Sequence, residues 1–401
     1  MNAMERGAQL RICVLTTTRA DFGIMRPLLH ALCNDADIDL RIAVTGTHLS
    51  EAYGMTVWEI KDSKLPIDAE IPILEEESNT PAAMSRIMAR ALTGFGEYFC
   101  ARRPDLFVVL GDRYEVFAIC AAATNACIPI AHLHGGEATE GLMDECFRHS
   151  ITKMSYLHFT ATEVYRKRVI QLGESPDRVF NVGALGVENA LHTNYLSLNQ
   201  LESELGFPLS QRPYIVVTFH PVTLETGSEE QQLSELLVAI EQRTDFNFLI
   251  TKSNADIGGD YINKRLDSFA REHTHCHVVS SLGMLRYMST LKHAFCVMGN
   301  SSSGLIEAPS FGIPIINIGN RQRGRIQAES VINCKPERED ILSALNLACM
   351  ESFRQKAANA SNPYGDGRTS ERICKLIKEI FSCGTIDLKK SFYDISFEVP
   401  K

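Results

Sequence analysis

Ionisable side chains are concentrated in one stretch of the chain, HLHGGEATEGLMDECFRHSITK at residues 132–153. The stretch contains several carboxylates, an arginine and three histidines, and it follows an apolar run that is typical of a buried strand. Carboxylates and imidazoles are the side chains that most often move protons in enzymes. The composition therefore predicts acid–base chemistry, and the rest of the chain must supply the groups that complete the site.

Further ionisable groups follow other predicted strands. Asp112 and Arg113 end the run DLFVVLGD, Arg19 follows the first run in TTTRADFG, and His220 ends YIVVTFHP in the second half of the chain. The carboxyl ends of parallel strands meet at the edge of a sheet where ligands bind. We therefore expect Asp112, Glu137 and His220 to be candidates for proton transfer, and Arg19 to meet an anionic ligand.

One part of the cluster has a competing structural interpretation. Asp144 and Glu145 stand close to the start of a predicted helix, where carboxylates stabilise the helix dipole. Arg148 lies four residues after Asp144 on the same helix face, so the two would also form an ordinary stabilising pair. Asp144 is thus a candidate both for proton transfer and for helix capping, whereas Glu137 and Asp112 have no such simple structural role.

A glycine- and serine-rich motif, GNSSSG at residues 299–304, follows the apolar run HAFCVM. Small residues let a ligand approach the backbone, hydroxyls donate hydrogen bonds, and a helix start presents unpaired N–H groups to phosphate. The candidate diphosphate contacts here are Asn300, Ser301, Ser302 and Gly304. A single serine cap would explain only one of the serines. Arg321, in the basic loop NRQRGR, either adds an anion contact or is simply solvated.

The elements that must position these residues follow a βαβ rhythm, in which apolar β-branched runs alternate with amphipathic stretches. The predicted strands are residues 10–16, 39–46, 70–74, 105–112, 128–136, 156–162 and 178–183, and then 214–221, 246–252, 276–282, 293–300, 313–319 and 330–333. Continuous apolar strands indicate parallel sheets covered on both faces. We therefore predict an α/β protein of two doubly wound domains with a ligand cleft between their carboxyl edges.

Composition excludes several classes of protein. The chain has 401 residues and a net charge of -9, which opposes loose binding to nucleic acid or to an anionic membrane. No signal peptide or long apolar span is visible, so a cytoplasmic location is expected. The twelve cysteines lack a CxxC pair and are expected to be reduced. The segment HTHCH at residues 273–277 contains three histidines and a cysteine, but in a strand Cys276 would point to the face opposite His275 and His277. This arrangement disfavours a metal site.

The glycine fingerprints of dinucleotide-binding and P-loop proteins are absent, which argues against a dehydrogenase or a kinase. The motifs instead resemble the hydrolysing UDP-N-acetylglucosamine 2-epimerases of bacterial sialic acid synthesis. The strings that carry the resemblance are TTTRADFG, VLGDRYE, HLHGGE, DECFRHSITK, TFHPVT, SNAD, GNSSSGLIEAPSFGIPIINIG and RQRGR. The family includes the epimerase half of the bifunctional animal enzyme and the legionaminic acid enzymes, which act on a diacetamido-trideoxy analogue.

The resemblance implies a glycosyltransferase-B-like pair of Rossmann-like domains. The implied boundaries are residues 1–185 for the first domain and 186–365 for the UDP-binding domain, with a C-terminal helix within 366–401 that packs back on the first. The implied reaction converts UDP-N-acetylglucosamine and water to N-acetylmannosamine and UDP through a 2-acetamidoglucal. No cofactor or metal is expected, and the chain is expected to form a homodimer or homotetramer.

The same resemblance implies a role for individual residues. The implied UDP contacts are Arg19, Arg113, Asn254, Asn300, Ser301, Ser302, Gly304, Glu307 and Arg321. The implied proton-transfer residues are Asp112, Glu137, Asp144 and His220, with Arg148 orienting a carboxylate. Which of them is base and which is acid stays open. The animal enzyme has a glutamate at the position of His134, so we expect His134 or Glu137 to fill that role.

Other functions remain open. A UDP-sugar glycosyltransferase shares the architecture but does not need carboxylates near C2 of the sugar. A non-hydrolysing epimerase resembles the chain more distantly, and a catalytically inactive nucleotide-binding protein would not need the ionisable cluster. The substrate choice between UDP-N-acetylglucosamine and UDP-2,4-diacetamido-2,4,6-trideoxy-glucose depends on groups near C4 and C6. Thr45, His48 and Tyr53 are candidates to line that side, although His48 is equally explained as a satisfied loop histidine.

Overall fold

The computed structural model describes residues 9–74, 80–140, 142–222, 229–253, 259–384, 386–396 and 398. These residues fold into two compact units. The first unit comprises the described parts of 1–137, 144–188 and 364–401, and the second comprises those of 138–143 and 189–363. The boundaries expected near residues 185 and 365 fall close to these limits, but the segment 138–143 belongs to the second unit.

Strands and helices alternate along the chain as the apolar rhythm predicts. The strands are β1 (Leu10–Thr16), β2 (Ile38–Thr45), β3 (Ile67–Ile71), β4 (Leu106–Leu110), β5 (Ile130–Leu133), β6 (Leu157–Thr160), β7 (Val179–Asn181), β8 (Tyr214–Thr218), β9 (Asn247–Thr251), β10 (Cys276–Val279), β11 (Cys296–Gly299), β12 (Ile315–Ile318) and β13 (Val331–Cys334). The helices are α1 (Arg19–Cys33), α2 (Val57–Asp62), α3 (Pro81–Ala101), α4 (Tyr114–Asn125), α5 (Asp144–Met154), α6 (Glu163–Gln171), α7 (Leu185–His192), α8 (Leu198–Leu205), α9 (Glu229–Glu241), α10 (Gly259–Glu272), α11 (Gly283–His293), α12 (Ser303–Ile306), α13 (Arg338–Cys349), α14 (Glu351–Ala358) and α15 (Thr369–Ser382).

Each unit contains one parallel sheet. The first sheet has the order β3-β2-β1-β4-β5-β6-β7, and the second has the order β10-β9-β8-β11-β12-β13. In both sheets the strand order reverses beside the first strand of the unit, β1 or β8, as in Rossmann-like folds, where ligands bind at the carboxyl ends next to that reversal. The prediction of two Rossmann-like α/β domains is therefore confirmed.

Alternation along the central strands builds a core on each face of the first sheet. Ile12 and Val14 of β1 pack into a cluster with α1, while Cys13 and Leu15 point to the other face and join a cluster with α3 and α4. The second sheet has the same construction, with Ile215 on one face and Val216 on the other. Strands buried on both faces need apolar residues at every position, which is why continuous apolar runs in the sequence predicted these strands.

One predicted strand is displaced. The sequence predicted residues 70–74, but β3 covers Ile67–Ile71 and ends immediately before Pro72. Proline has no N–H to donate to a sheet, and it restricts the residue before it, so it ends the pairing. The apolar residues beyond the proline contribute to burial rather than to the strand, since Ile73 is in the core.

Helix α15 completes the first unit. Its apolar stripe, Ile373, Ile377 and Phe381, is buried in the same cluster as the inner face of α1. Lys378, on the same helix, forms ion pairs with Asp35 at 2.9 Å and with a second aspartate after α1. The helix therefore fills a place in the first core although the chain reaches it only after the second unit.

Residues 386–396, which we call the C-terminal strap, lie beyond α15 and are fixed to the first unit. The ammonium of Lys390 lies 2.6 Å from the buried Glu174 carboxylate and also donates to the Ser155 carbonyl at 2.6 Å, just beyond the end of α5. The N–H of Tyr393 donates to the Gly173 carbonyl at 2.9 Å. Although burial alone would raise it, hydrogen bonds from His158, Lys153 and Lys390 lower the pKa of Glu174 to about 2.

All twelve cysteines are free thiols, and four of them are buried among apolar side chains, as expected for core residues. Across the described ranges, the structure contains no helix with the length and apolar character needed to cross a bilayer.

Candidate active site

Arg148 is the centre of a carboxylate cluster in the first unit. It projects from α5, and its side chain is only 1% exposed. Its Nε donates to Asp112 Oδ2 at 2.9 Å, and its Nη2 also contacts that carboxylate. Its Nη1 donates to Glu145 Oε2 at 2.5 Å and to the Glu137 carbonyl at 3.0 Å. One guanidinium therefore joins the end of β4, the loop after β5 and the start of α5.

The charge of this cluster is fixed by its geometry. Burial alone would lower the pKa of Arg148, but the negative charges of Asp112, Glu137 and Glu145 outweigh it and hold that pKa above its usual range. The guanidinium therefore stays protonated. Asp112 and Glu145 remain about one quarter exposed, so they are held in place while still open to a ligand.

His132 fixes the backbone next to Asp112 through a hydrogen bond to the preceding residue. It lies in β5, is fully buried, and its Nε2 lies 2.8 Å from the carbonyl of Gly111, while its Nδ1 lies 3.1 Å from the Thr152 hydroxyl. Burial lowers the pKa of His132 to about 3, so the ring is neutral. Gly111 has a φ of +86°, which favours glycine, and the hydrogen bond to its carbonyl fixes the turn that aims Asp112.

The half-buried His134 and the buried Glu137 form a pair in the loop after β5. His134 Nδ1 lies 2.9 Å from Glu137 Oε1, and Glu137 is 3% exposed. His134 also has a φ of +64°, which is uncommon for a residue with a large side chain. The structure therefore brings together both residues that the sequence named for the role of the animal enzyme's glutamate.

Arg19 begins α1 and is placed by a rigid loop. Asp21 accepts hydrogen bonds from the backbone N–H groups of Thr17 at 2.8 Å and Thr18 at 3.0 Å, which forms a capping box at the start of the helix. The Arg19 side chain is 38% exposed and lies 3.9 Å from Glu59, a weak surface contact. Arg19 is therefore well placed on its backbone and reachable by an anion.

The other sequence candidates of the first unit differ in environment. Arg113 donates through Nε to the buried Glu115 at 2.6 Å. Asp144 is the first residue of α5, where a carboxylate stabilises the helix dipole, and it is half-buried. Thr45 and His48 are fully buried, and both ring nitrogens of His48 contact threonine hydroxyls. His48 is therefore a satisfied loop histidine, and neither residue is exposed to a sugar.

His220 is held by two neighbouring strands of the second unit. Its backbone N–H donates to Asn300 Oδ1 at 2.7 Å, Asn300 Nδ2 donates back to the His220 carbonyl at 2.8 Å, and the ring Nδ1 lies 3.0 Å from Ser253 Oγ. Burial, together with the nearby charge of Arg321, lowers the pKa of His220 well below its usual value. The ring is therefore neutral at pH 7.

Asn300 is buried and ties together three segments of the second unit. Its side chain is 1% exposed and is occupied by the His220 backbone. Its carbonyl accepts from Arg321 Nη1 at 3.2 Å and from Gln322 Nε2 at 2.9 Å, which ties the basic loop to β11. Arg323, by contrast, is 70% exposed and paired with Glu140 at 3.1 Å, so this arginine is part of a solvated surface.

The glycine–serine motif presents backbone donors. Gly299 has a φ of +139°, and a Cβ at this position would lie 1.9 Å from the Thr218 carbonyl oxygen, so only glycine fits. Within the described chain, the N–H groups of Ser301, Ser302 and Ser303 have no hydrogen-bond acceptor in the protein. Three adjacent unpaired donors form a site suited to phosphate oxygens.

The helix after this motif is shorter than the sequence suggested. The apolar run LIEAPSFG was expected to continue as a helix, but α12 covers only Ser303–Ile306 and is followed by a 3-10 turn at Ala308–Phe311. Pro309 lacks the N–H that a longer helix would use, which explains the change. A helix of this length has only a small dipole, so the three backbone N–H groups of the loop would contribute more to phosphate binding than the helix does.

Two further sequence candidates belong to the second unit. Glu307, between the two helical turns, is 5% exposed. Asn254 lies outside the described residues.

Sequence reasoning missed several supporting residues. His132, Ser253, Glu145 and Gln322 all hold candidate residues in place. Strand register is the signal that identifies Ser253: Thr218 of β8 pairs with Thr251 of β9, so His220 and Ser253 both lie two residues beyond the pair. Among the described residues, no cluster of histidine, cysteine and carboxylate side chains is arranged to hold a metal ion.

A family model for UDP-N-acetylglucosamine 2-epimerase matches residues 30–378. The chain belongs to the UDP-N-acetylglucosamine 2-epimerase family. Relatives of this epimerase family that resemble the chain along almost its whole length include the polysialic acid biosynthesis protein P7 of Escherichia coli, which is 41% identical over 96% of this chain and 97% of its own.

Two further relatives carry a different substrate in their names. The GDP/UDP-N,N'-diacetylbacillosamine 2-epimerase (hydrolyzing) of Campylobacter jejuni is 36% identical over 96% of this chain and 99% of its own. The UDP-N,N'-diacetylbacillosamine 2-epimerase (hydrolyzing) of Legionella pneumophila is 35% identical over 92% of this chain and 96% of its own. The epimerase family therefore includes similar relatives named for more than one sugar.

Solved structures of the family share the fold. The Neisseria meningitidis UDP-GlcNAc 2-epimerase bound to UDP-GlcNAc has a TM-score of 0.78 at 19% identity, over 92% of this chain and 100% of its own. The Methanocaldococcus jannaschii UDP-GlcNAc 2-epimerase in complex with UDP-GlcNAc and UDP has a TM-score of 0.74 at 18% identity, over 92% of this chain and 100% of its own. At such identities the likeness establishes the fold of the epimerase chain.

Proposed function

We propose that the protein is a hydrolysing UDP-N-acetylglucosamine 2-epimerase that converts UDP-N-acetylglucosamine and water to N-acetylmannosamine and UDP. The observation that carries the proposal is the set of carboxylates held around the buried Arg148 at the carboxyl ends of β4 and β5. Such groups are suited to removing and returning a proton at a sugar carbon. Family membership supports a UDP-linked 2-acetamido sugar as the substrate.

The proposed reaction has two steps. A base takes the proton from C2, the C–H electron pair forms the C1=C2 bond of a 2-acetamidoglucal, and UDP leaves with the electron pair of the C1–O bond. Water then adds at C1 while a proton is delivered to the opposite face of C2, which inverts that centre. The proposed acid–base residues are Asp112, Glu137, Asp144 and His220, and Arg148 holds Asp112 in position.

UDP binding is proposed to depend mainly on the second unit. The proposed contacts are Arg19, Arg113, Asn254, Asn300, Ser301, Ser302, Gly304, Glu307 and Arg321. The unpaired N–H groups at Ser301–Ser303 favour the diphosphate, because they donate without reorganisation. The contribution of Asn300 is indirect, since its side chain is occupied by the His220 backbone.

Release of free sugar distinguishes this proposal from epimerisation that leaves UDP on the sugar. The Campylobacter and Legionella relatives are both named as hydrolyzing enzymes, which supports the hydrolytic mode here. A glycosyltransferase is no longer favoured, because the matching family model is that of an epimerase.

A second sugar is favoured by a specific observation. The same two relatives are named for UDP-N,N'-diacetylbacillosamine, a UDP-linked diacetamido-trideoxy sugar. The polysialic acid relative, at higher identity, is named for polysialic acid biosynthesis, which supports the sialic acid route proposed here. The chemistry at C1 and C2 is the same for both sugars, so the alternative changes the substrate and not the mechanism.

NMR of the purified protein in deuterated water, with no added metal or nicotinamide, tests both substrates. We expect N-acetylmannosamine carrying deuterium at C2, together with UDP, from UDP-N-acetylglucosamine. Turnover of the diacetamido-trideoxy nucleotide alone would move the protein to the second sugar. A product that retains UDP would refute the hydrolytic mode.

A pair of variants at the two ends of β4 separates catalysis from folding. Asp112→Asn, at the carboxyl end, should lower kcat at least about 100-fold with UDP affinity retained. Asp105→Asn removes an ion pair with Arg11 at the amino end and should leave kcat nearly unchanged. Equal loss in both variants would indicate general damage to the first unit.

The family resemblance also leads us to propose an assembly of two or four copies. Light scattering of the purified chain measures the mass directly, and a mass near the monomer value of 44.6 kDa would refute it.

A further inference from the structure

His134 has a backbone conformation that needs an explanation. It is the first residue after β5, its N–H donates to the Phe159 carbonyl at 3.0 Å, and its φ is +64°. Left-handed backbone is unfavourable for a residue with a large side chain, so the surrounding structure must hold His134 in this conformation. Gly135 follows, where a Cβ would lie 2.9 Å from His132 Nδ1, so the loop turns tightly against the sheet.

The conformation directs the imidazole at a carboxylate. His134 Nδ1 lies 2.9 Å from Glu137 Oε1, and the Glu137 carbonyl accepts from Arg148 Nη1 at 3.0 Å. A carboxylate only accepts hydrogen bonds, so the proton of the neutral ring belongs on Nδ1 and the lone pair is left on Nε2. This is the arrangement in which an acidic residue orients a histidine that acts as a base.

The second ring nitrogen of His134 is shielded from solvent without a partner. Its Nε2 is buried and makes no hydrogen bond within the described part of the chain. Buried polar atoms without partners are rare, because leaving one unsatisfied is unfavourable. At the carboxyl end of a central parallel strand, where ligands of these sheets bind, a substrate group is the natural partner.

A second pair in the same unit provides an internal comparison. His158 Nε2 lies 3.1 Å from Glu174 Oε2, and its Nδ1 is likewise buried without a partner. His158, however, lies in β6 rather than beyond its carboxyl end, and Glu174 is also bound by Lys153 and Lys390. The His158 pair is thus part of the attachment of the C-terminal strap, whereas the His134 pair is next to the Arg148 cluster.

We propose that His134 is the base that removes the C2 proton of the sugar, and that Glu137, placed above among the acid–base residues, contributes by positioning His134 rather than by taking that proton itself. This inference rests on the proposed function. As the C2–H bond breaks, Nε2 takes the proton, the electron pair of that bond forms the C1=C2 bond, and UDP departs with the electron pair of the C1–O bond. The resulting imidazolium is stabilised by the Glu137 carboxylate.

The test uses a variant that the backbone accepts. Glycine is favoured at a φ of +64°, so His134→Gly removes the imidazole and leaves the loop conformation intact. We expect a fall in kcat of about 10² to 10⁴-fold with UDP affinity within about 3-fold of wild type. Added imidazole should restore part of the rate, in proportion to its neutral form.

Two further variants separate a base from a structural residue. His134→Asn keeps a hydrogen bond to Glu137 at a tolerated φ but offers no base, so it should be as inactive as the glycine variant. His158→Asn should lower stability and leave kcat within about 3-fold. Substantial activity in His134→Asn, or a glycine variant that imidazole never restores, would overturn the proposal.

A measurement that needs no turnover separates this inference from the proposed function. Nitrogen-15 NMR of labelled histidine should show His134 protonated at Nδ1 in the wild-type protein, with that preference reduced in Glu137→Gln. A proton on Nε2 would overturn the base role even in an active enzyme. If neither sugar nucleotide is hydrolysed while the Nδ1 proton is observed, the proposed function has failed and the base assignment with it, although the pair itself is correctly described.

Discussion

Gly299 lies so close to the backbone of a neighbouring strand that there is no room for a side chain at this position. A Cβ at this position would lie 1.9 Å from the Thr218 carbonyl oxygen, whereas a Cβ at Gly304 would make only ordinary contacts, with Ile315 at 3.5 Å and Val297 at 3.7 Å. We predict that Gly299→Ala lowers the free energy of unfolding by at least about 2 kcal/mol, because β8 and β11 must separate. Gly304→Ala is the matched control and should change it by less than about 1 kcal/mol. Urea unfolding followed by circular dichroism measures both, and equal stability of the two variants would contradict the steric argument.

His132 makes the first unit sensitive to acid. Its pKa in the folded protein is about 3, below the ordinary value of 6.5, so the unfolded chain binds a proton that the folded chain does not. Stability from this residue is fully present above pH 6.5 and is lost at about 1.4 kcal/mol per pH unit as the pH falls towards 3. We predict a shallower decline for His132→Gln over the same range. Urea unfolding at pH 7, 6, 5 and 4 measures the slope, with the exposed His192→Gln as the control. Identical slopes in wild type and His132→Gln would show that another group titrates.

At the residue scale, the sequence predicted which side chains lie close together better than it predicted their individual partners. Asp112 and Glu137 were identified because they follow strand ends, and Arg148 because it follows Asp144 on a predicted helix; the three lie in one cluster. One interpretation of the sequence paired Arg148 with Asp144, four residues earlier, but the carboxylate that Arg148 contacts on its own helix is that of Glu145, three residues earlier. Both spacings place residues on one helix face, and the contacts that choose between them come from β4 and β5, which helix periodicity does not describe.

The C-terminal strap has no regular secondary structure and is attached to the first unit through an ion pair with one buried carboxylate, that of Glu174. Lys390 contacts the Glu174 carboxylate, which is 1% exposed, while the neighbouring Lys389 is exposed. Removing one partner of a buried ion pair leaves the other charge less well compensated. We predict that Lys390→Ala lowers the free energy of unfolding by about 1–3 kcal/mol, discounted because Lys153 and His158 still contact Glu174.

Limited digestion with chymotrypsin reports on the strap directly. Cleavage after Phe392 and Tyr393 should accelerate in Lys390→Ala and stay at the wild-type rate in Lys389→Ala. Chymotrypsin is chosen because neither substitution changes its own cleavage site. Unchanged cleavage in Lys390→Ala would show that other contacts, such as the Tyr393–Gly173 hydrogen bond and the Lys153–Phe392 contact, are sufficient to hold the strap.

At the element scale, strands were predicted more accurately than the segments beside prolines. Each of the thirteen strands in the described ranges overlaps a continuous apolar run, since a strand buried on both faces is apolar throughout. The errors were the end of β3 at Pro72 and the short α12 before Pro309. In both cases apolar residues continue past the element because they are buried, and burial alone does not distinguish a strand or helix from an irregular core segment.

At the scale of the whole molecule, the first unit is assembled from distant parts of the chain. Ile373, Ile377 and Phe381 of α15 are buried in the core that contains α1. Burial of three such side chains is worth roughly 5–9 kcal/mol, which is comparable with the total stability of a domain. We predict that truncation after residue 365 unfolds the first unit and leaves the second folded.

Hydrogen exchange measured by mass spectrometry shows which of the two units remains folded in the truncated chain. The amides of β1 should exchange rapidly while those of β8 stay protected. Truncation after residue 384 removes the strap but keeps α15, and it should retain protection in β1. Protection of β1 in both truncations would show that the first unit does not need its last helix.

The two-domain organisation was predictable because the apolar rhythm stops and restarts between residues 183 and 214. The assignment of residues 138–143 to the second unit was not predictable, because the segment is short and has no periodic pattern. Its place depends on tertiary packing, as when Ala138 lies beside Gly324. Segments of this kind are fixed by their neighbours rather than by their own sequence.

The position of α15 also sets the order in which the protein can mature on the ribosome. Domains usually fold in the order of synthesis, but here the amino-terminal unit waits for a helix encoded after the whole of the second unit. At about 5–20 residues per second, the ribosome needs roughly 10–35 s to pass through the intervening second unit. During that interval the apolar surface of α1 that α15 later covers is open to chaperones, and the carboxyl-terminal unit is the first that can complete its core.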